Sequence, residues 1–343
     1  MKFSIMYSFV VPPGAPMTHL DTFREMDRLL PLAEELGYHG FHTTEHHFQS
    51  NGWAPSPLAV LAHAAGQTSR MRLATNIMIP ALNHPVRLLE DLLTLDNLSN
   101  GRLVMGTSPG YVVEEFAAYG IRFEDRFRLH EEIIDFIQAA WANPTDIGFQ
   151  GKLLQVPSAD MMPRPVQARL PIWYGVSGPK LLERAAKRRV PITASPRHAL
   201  GELEEHFRLY DEVAAKHGYV PEERPVIRET FVADTQAEAE RLAGPAVEHM
   251  FGLYARKSGE GVRGLYNDNG DLVTDAASVK YQNFQSRYMI GDPARMKDDV
   301  DEIIARLNPT EIVLRMQLPG IPTEALERSI RLFAEKVMPY FSG

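Results

Sequence analysis

Two short stretches hold residues able to move protons: Glu45-His46-His47-Phe48 and Asn83-His84-Pro85-Val86-Arg87. Imidazole titrates with an unperturbed pKa of about 6.5, so it serves as general acid or base near neutrality. Each stretch follows a β-rich run, Gly40 to Thr44 and Arg72 to Ile79 respectively, and therefore marks a strand end. In a barrel of alternating strands and helices the strand ends carry the chemistry, so both loops are expected to face one pocket. Side chains alternate along a strand, so at most one of His46 and His47 should point into it. Glu45 then either orients an imidazole or pairs with an arginine such as Arg87.

His42-Thr43-Thr44-Glu45-His46 formally matches a zinc-binding pattern, His-x-x-Glu-His. That chemistry needs both histidines on one helix face. Here Gly40-Phe41 and two threonines favour a strand, on which positions four apart are separated by about 13 Å, and no metal site is expected. Two glycine-bearing turns follow later strands: Gly106-Thr107-Ser108-Pro109-Gly110-Tyr111, ahead of a helix near Val112, and Val176-Ser177-Gly178-Pro179-Lys180. Turns that lead into helix N-termini expose backbone N–H groups to anions, and Ser177 adds a hydroxyl. Two such cradles point to a cofactor that carries phosphate. Trp53 follows the histidine pair in Ser50-Asn51-Gly52-Trp53 and is expected to line the pocket; Trp141 and Trp173 read as core filling.

The elements that would position these residues alternate regularly. Candidate strands run from Phe3 to Val10, Gly40 to Thr44, Arg72 to Ile79, Arg102 to Thr107, Pro171 to Val176, Pro191 to Ser195, Val226 to Ala233 and Glu311 to Met316. Between them, apolar residues recur at helical spacing, as in Leu29, Leu30, Ala33 and Leu36, or Leu88, Leu89, Leu92 and Leu95. Asn83 is the expected cap of the second of these helices, with Pro85 in its first turn and Gly101 after its end. The pattern predicts a single-domain (β/α)₈ TIM barrel over 1–343; no Gly-x-Gly-x-x-Gly turn follows the first strand to suggest a doubly wound sheet. Two insertions interrupt the alternation: proline-rich Asn143 to Leu170 before the fifth strand, and glycine-rich Ser258 to Asp292 after the seventh. The second is expected to be a mobile lid.

Composition narrows the functions. The 343 residues are 44% hydrophobic and 23% charged, which suits a compact fold. A net charge of −8 offers no footprint for nucleic acid, and the basic run Lys187-Arg188-Arg189 suits a helix end. With no cysteine, thiolate metal sites, iron–sulfur clusters and cysteine nucleophiles are excluded, so redox chemistry requires a bound cofactor. The N-terminal apolar run has no small-residue cleavage site before Pro12-Pro13 and reads as the first strand of a cytoplasmic protein. No stretch approaches about 18 uncharged apolar residues, so no membrane span is expected.

The ordered set of motifs resembles the bacterial luciferase-like flavin-dependent monooxygenases. It includes Glu45-His46-His47-Phe48, Thr75, His84-Pro85-Val86-Arg87 with Glu90-Asp91, Leu95-Asp96 with Ser99, Gly101, Arg102 and Gly106, then Tyr210, His217-Gly218-Tyr219 and Val337-Met338-Pro339-Tyr340. The resemblance implies a barrel that takes reduced FMN from a separate flavin reductase. It further implies that the flavin reacts with O₂ to give a C4a-(hydro)peroxide, which oxygenates a small organic substrate. His46 matches the active-site histidine. Thr75, Asn76 and Ile77 match the flavin-binding end of the third strand, with a non-prolyl cis peptide expected at Asn76-Ile77. Ser177 matches a serine on the FMN phosphate, with Gly178 beside it. Many relatives hold the phosphate with an arginine where this chain has Pro109, so Arg126 or Arg128, or the backbone of Gly110 and Tyr111, must take that part. Relatives are often homodimers. The alternatives within the same barrel are an F420-dependent hydride-transfer dehydrogenase and a non-catalytic flavin-binding subunit. Arg197, Arg287 and Arg315 are candidates to hold an acidic group of the substrate.

Overall fold

The computed structural model describes residues 1–49, 52–256 and 264–341. Its main sheet has eight parallel strands: β1 (Lys2–Tyr7), β2 (Gly40–Thr43), β3 (Arg72–Met78), β4 (Leu103–Thr107), β5 (Ile172–Tyr174), β6 (Pro225–Val232), β7 (Tyr288–Gly291) and β8 (Glu311–Gln317). They lie in the order β7-β6-β8-β1-β2-β3-β4-β5. The ladder ends at β5, and residues 191–194 span the remaining gap to β6. Thr193 N–H donates to the Tyr174 carbonyl at 2.9 Å and Ala194 N–H to the Pro225 carbonyl at 3.2 Å. The wall is thus a (β/α)₈ barrel made of β1 to β6, the 191–194 segment and β8.

Two expectations need correction. The sixth strand, expected from Pro191 to Ser195, is reduced to isolated bridges at Ile192 and Ala194, because Pro191 has no N–H and Pro196 follows at once. The stretch expected as a lid from Ser258 to Asp292 contains β7, which extends the second half of β6 through Tyr288–Glu229 to Gly291–Val232 pairing. It also holds a hairpin of Leu265–Tyr266 with Leu272–Val273. Positions 258–263 of that stretch lie outside the described residues. The earlier insertion carries a small hairpin of its own, Phe149–Gln150 with Gln155–Val156.

The helices follow from local signals. In α1 (His19–Glu35), Thr18 and Asp21 form a reciprocal capping box, and Leu29, Leu30 and Ala33 bury the inward stripe while Pro31 sits within the helix. In α3 (Pro85–Leu98), Pro85 occupies the first turn, but His84 holds the cap position and the expected cap, Asn83, donates instead to the Ile79 carbonyl. Outward-facing strand residues such as Ile5, Phe41, Leu73 and Leu103 pack under the helices in one large core. Inside the bore, Met6, Ile227 and Val313 meet as one layer, and Ala74, Val104 and Trp173 as another. Polar residues share that interior: Ser4, His42, Asn76, Glu229, Glu311 and Arg315 are all buried.

β4 passes close to the backbone of β3 at Gly106. A Cβ on Gly106 would lie 2.2 Å from the Thr75 carbonyl oxygen, whereas one on Gly66, inside α2 (Pro57–Gln67), meets nothing within 4 Å. Gly106→Ala is expected to lower the unfolding free energy by about 2 kcal/mol. Gly66→Ala should raise it by about 0.5–1 kcal/mol. Urea midpoints of the two variants measure this, and a shift in the same direction for both would contradict it.

Candidate active site

A cavity of about 320 Å³ lies at the C-terminal ends of the barrel strands, within the range of about 300–1,000 Å³ usual for small-molecule sites. His46 reaches it from the loop after β2, Asn76 and Ile77 from β3, Gly110 and Tyr111 from the turn after β4, and Ser177 from the turn after β5. Arg126 enters from the start of α5 (Arg126–Ala142), which follows the short α4 (Val113–Ala118). The Asn76-Ile77 peptide is cis. Two of the expected site residues lie elsewhere. Thr75 is buried with its hydroxyl donating to the Gly106 carbonyl at 2.7 Å, and Gly178 caps α6 (Pro179–Lys187) behind the lining. His84 is exposed and also outside the lining, so only one of the two imidazole loops contributes a ring. His198 and His206, which carried no signal in the sequence, do line the cavity.

β2 ends at Thr43, so His46 and His47 lie in the loop beyond it, and their own contacts divide their work. His46 faces the cavity, its ring edge-on to Trp53 at 4.5 Å between centroids and to Tyr111 at 6.4 Å. His47 is turned away and pairs with Glu45 Oε1 at 2.8 Å, while Glu45 Oε2 accepts the Ile79 N–H at 2.8 Å. Glu45 therefore ties the ends of β2 and β3 together, and Arg87 pairs with Glu90 and Asp91 instead. Glu115 fastens the same loop by accepting the His47 backbone N–H at 3.0 Å. Burial disfavours the charged form of His47, but the Glu45 hydrogen bond and the charges of Glu45 and Glu115 outweigh it and raise its pKa. His42, the other member of the zinc-like pattern, is buried in the bore and bonded to Glu311 and Asn76.

Three further lining residues, Gly110, Ser177 and Arg126, have features of an anion site. Gly110 has φ +81°, and a Cβ there would meet Phe116 at 2.8 Å, so only glycine gives the turn that presents Tyr111. Ser177 precedes Gly178, whose φ of +92° turns the chain into α6 with Pro179 in its first turn. The Arg126 guanidinium packs over Phe123 at 3.7 Å and Phe127 at 4.1 Å, and its Nη1 donates to the Phe123 carbonyl at 2.8 Å. Its Nε is buried with no hydrogen-bond partner among the described residues. Burial lowers the Arg126 pKa, with the charge of Glu124 opposing the fall. Arg128 is exposed and outside the lining.

The rest of the lining is largely aromatic and apolar, with Trp53, Tyr111, Tyr254, Phe207, Leu203 and Ile227. Burial pushes the Tyr111 hydroxyl up to about 12, with Arg197 opposing the rise. Of the three arginines considered for an acidic substrate group, Arg315 is committed to Glu229 through Nε and Nη2 and to the Tyr254 hydroxyl. Arg287 is outside the lining and bound to Asp268 and Glu202. Arg197 lines the cavity, 5.6 Å from the Tyr254 ring.

A barrel with its pocket at the C-terminal ends of the strands, lined by His46, His198 and His206 and by the arginine at the start of α5, has the layout of a TIM-barrel enzyme. The luciferase-like monooxygenase model matches residues 1–310, so the chain belongs to that family and is an enzyme of the flavin-dependent monooxygenase class. The alkanal monooxygenase alpha chain of Photobacterium leiognathi is 25% identical, with 99% of each chain covered. The oxygenase component of the flavin-dependent trigonelline monooxygenase of Acinetobacter baylyi is 26% identical over 95% of this chain and 91% of its own. Among solved structures, monooxygenase RslO1 from Streptomyces bottropensis covers 100% of both chains at 26% identity and a TM-score of 0.84.

The His47 pairing has a pH signature. A histidine whose folded pKa is raised stabilises the fold fully below its unfolded value of about 6.5, and the contribution is lost as pH rises through the folded pKa. Wild type should therefore exceed His47→Gln in thermal stability most at pH below about 6 and least in alkaline solution. Melting curves across this range test it; a gap that widens with pH would show that His47 works as a neutral ring.

Proposed function

We propose that the chain is the oxygenase of a two-component system, which receives reduced FMN from a separate flavin reductase and oxygenates a small organic substrate with O₂. The observation that carries this reading is the buried Nε of Arg126, which has no hydrogen-bond partner among the described residues, in a cavity lining that also includes Ser177 just before α6. A phosphate there would satisfy that donor and complement the cation with a charge-assisted hydrogen bond. Arg126 thus supplies the positive charge that Pro109 does not. Bound reduced FMN supplies the electrons and activates the oxygen.

The chain's own residues bind, orient and handle protons. Ser177, with the N-terminus of α6 behind it, and Arg126 hold the phosphate end. Asn76, Ile77 and Tyr111 would form a wall for the ring system. His46, set between Trp53 and Tyr111, acts as general acid or base at its imidazole nitrogen toward the reacting centre. The aromatic and apolar residues opposite exclude water and accept a carbon-rich substrate. Membership of a monooxygenase family favours oxygen chemistry over the hydride-transfer alternative, and the cavity-facing His46 favours an active enzyme over a non-catalytic subunit. The resemblance to the family further suggests a homodimer acting in the cytoplasm. No helix among the described residues is long and apolar enough to cross a membrane.

Oxygen uptake with FMN kept reduced by a separate reductase, compared between wild type and His46→Ala, tests the assignment. The variant should lose about 10²-fold or more in substrate oxygenation while its FMN dissociation constant changes less than about threefold. Equal losses in both would remove His46 from proton transfer and make it a binding residue.

A further inference from the structure

Four buried polar side chains meet end to end inside the barrel: Glu311 of β8, His42 of β2, Asn76 of β3 and Thr193 of the 191–194 segment. His42 Nε2 lies 2.9 Å from Glu311 Oε1, Asn76 Nδ2 lies 3.2 Å from His42 Nδ1, and the Thr193 hydroxyl lies 3.2 Å from Asn76 Oδ1. Asn76 and Thr193 line the active-site cavity; His42 and Glu311 do not. Glu311 instead lines an indentation at the other end of the barrel, together with Lys2, Arg72 and Glu223. The chain thus joins a residue remote from the cavity to one that forms its wall.

Donor and acceptor roles in this chain run in a single direction. An amide NH₂ can only donate, so His42 Nδ1 accepts from Asn76 and the ring proton sits on Nε2, where it is donated to Glu311. The Asn76 carbonyl oxygen is left to accept the Thr193 hydroxyl. Burial pushes Glu311 toward the protonated form, but the hydrogen bond and the charge of His42, the Ser4 hydrogen bond and the charge of Arg72 outweigh it and hold its pKa at about 2. An ionised carboxylate accepts and never donates, so it keeps a proton on His42 Nε2 and excludes the tautomer protonated on Nδ1 alone. The indole of Trp173, stacked on His42 at 5.7 Å and 22°, holds the plane of the ring.

We propose that Glu311 and His42 are positioning residues that dictate which way the Asn76 amide is turned, and through it the hydrogen-bonding groups that the cavity wall presents to the flavin ring. An uncharged neighbour in place of Glu311 would permit the other histidine tautomer, and the amide would then be free to rotate. The proposal rests on the FMN reading above.

The test pairs variants that separate shape from hydrogen bonding. His42→Phe keeps a ring against Trp173 and removes both hydrogen bonds; His42→Gln keeps one donor and one acceptor. Glu311→Gln, isosteric and uncharged, serves if His42→Phe does not fold. Nitrogen NMR of the histidine rings should show the Nε2–H form of His42 in wild type and a mixture with the Nδ1–H form in Glu311→Gln. With FMN bound, His42→Phe and Glu311→Gln should change the visible circular dichroism of the flavin. His42→Phe should also weaken FMN binding about tenfold, the order set by one buried amide losing a partner. His42→Gln should restore both properties. Flavin dichroism and affinity equal to wild type in the folded variants, or a wild-type His42 with a proton on Nδ1, whether alone or together with one on Nε2, would overturn the proposal alone. Wild type that fails to bind FMN would overturn the FMN reading and the proposal with it.

Discussion

A charge placed inside a protein must meet an opposite charge or a full set of hydrogen bonds, and this barrel places several in its bore and at its mouth. Glu229 meets Arg315, and Glu311 meets His42, Ser4 and Arg72. At the mouth, Glu45 divides its two oxygens between His47 and the Ile79 backbone, which fixes the end of β2 against the end of β3. That tie turns His47 away and leaves His46 facing the cavity. The direction in which His46 points is therefore a consequence of satisfying the Glu45 carboxylate.

Against that background Arg126 stands out. It is packed between two phenyl rings, donates once to a backbone carbonyl, and keeps a buried Nε without a partner among the described residues. Its place at the cavity edge gives that unmet donor a direction. A site that holds the phosphate at one edge and surrounds the rest of the ligand with aromatic walls suits a flavin monophosphate with its ring system deeper in the barrel.

Much of this architecture was legible in the chain because strand and helix signals alternate with clear periods. The turns carrying Gly110 and Ser177 were legible for the same reason: each stands between a β-rich run and a helix start. What escaped was set by tertiary contact. Tyr288 to Gly291 is too short to show a period, and it becomes a strand only because β6 offers an unpaired stretch beside it. Glu45 had two candidate partners in sequence, and neither spacing nor charge could choose His47 over Arg87. Arg126 and Arg128 look equivalent as residue types, but two positions on a helix are about 200° apart, so only one can face the cavity. His42 drew notice only within a zinc-like pattern; all four residues of β2 are buried, which hides the inward-facing position from any reading of hydrophobic alternation.

The most direct measurement is calorimetric titration of wild type and Arg126→Ala with FMN and with riboflavin, which shares the ring system and lacks the phosphate. If the cavity edge is a phosphate site, wild type binds FMN at least about tenfold more tightly than riboflavin, and Arg126→Ala loses that preference while its riboflavin affinity stays unchanged. Equal affinity of wild type for the two flavins, or a preference for FMN that survives in Arg126→Ala, would contradict it.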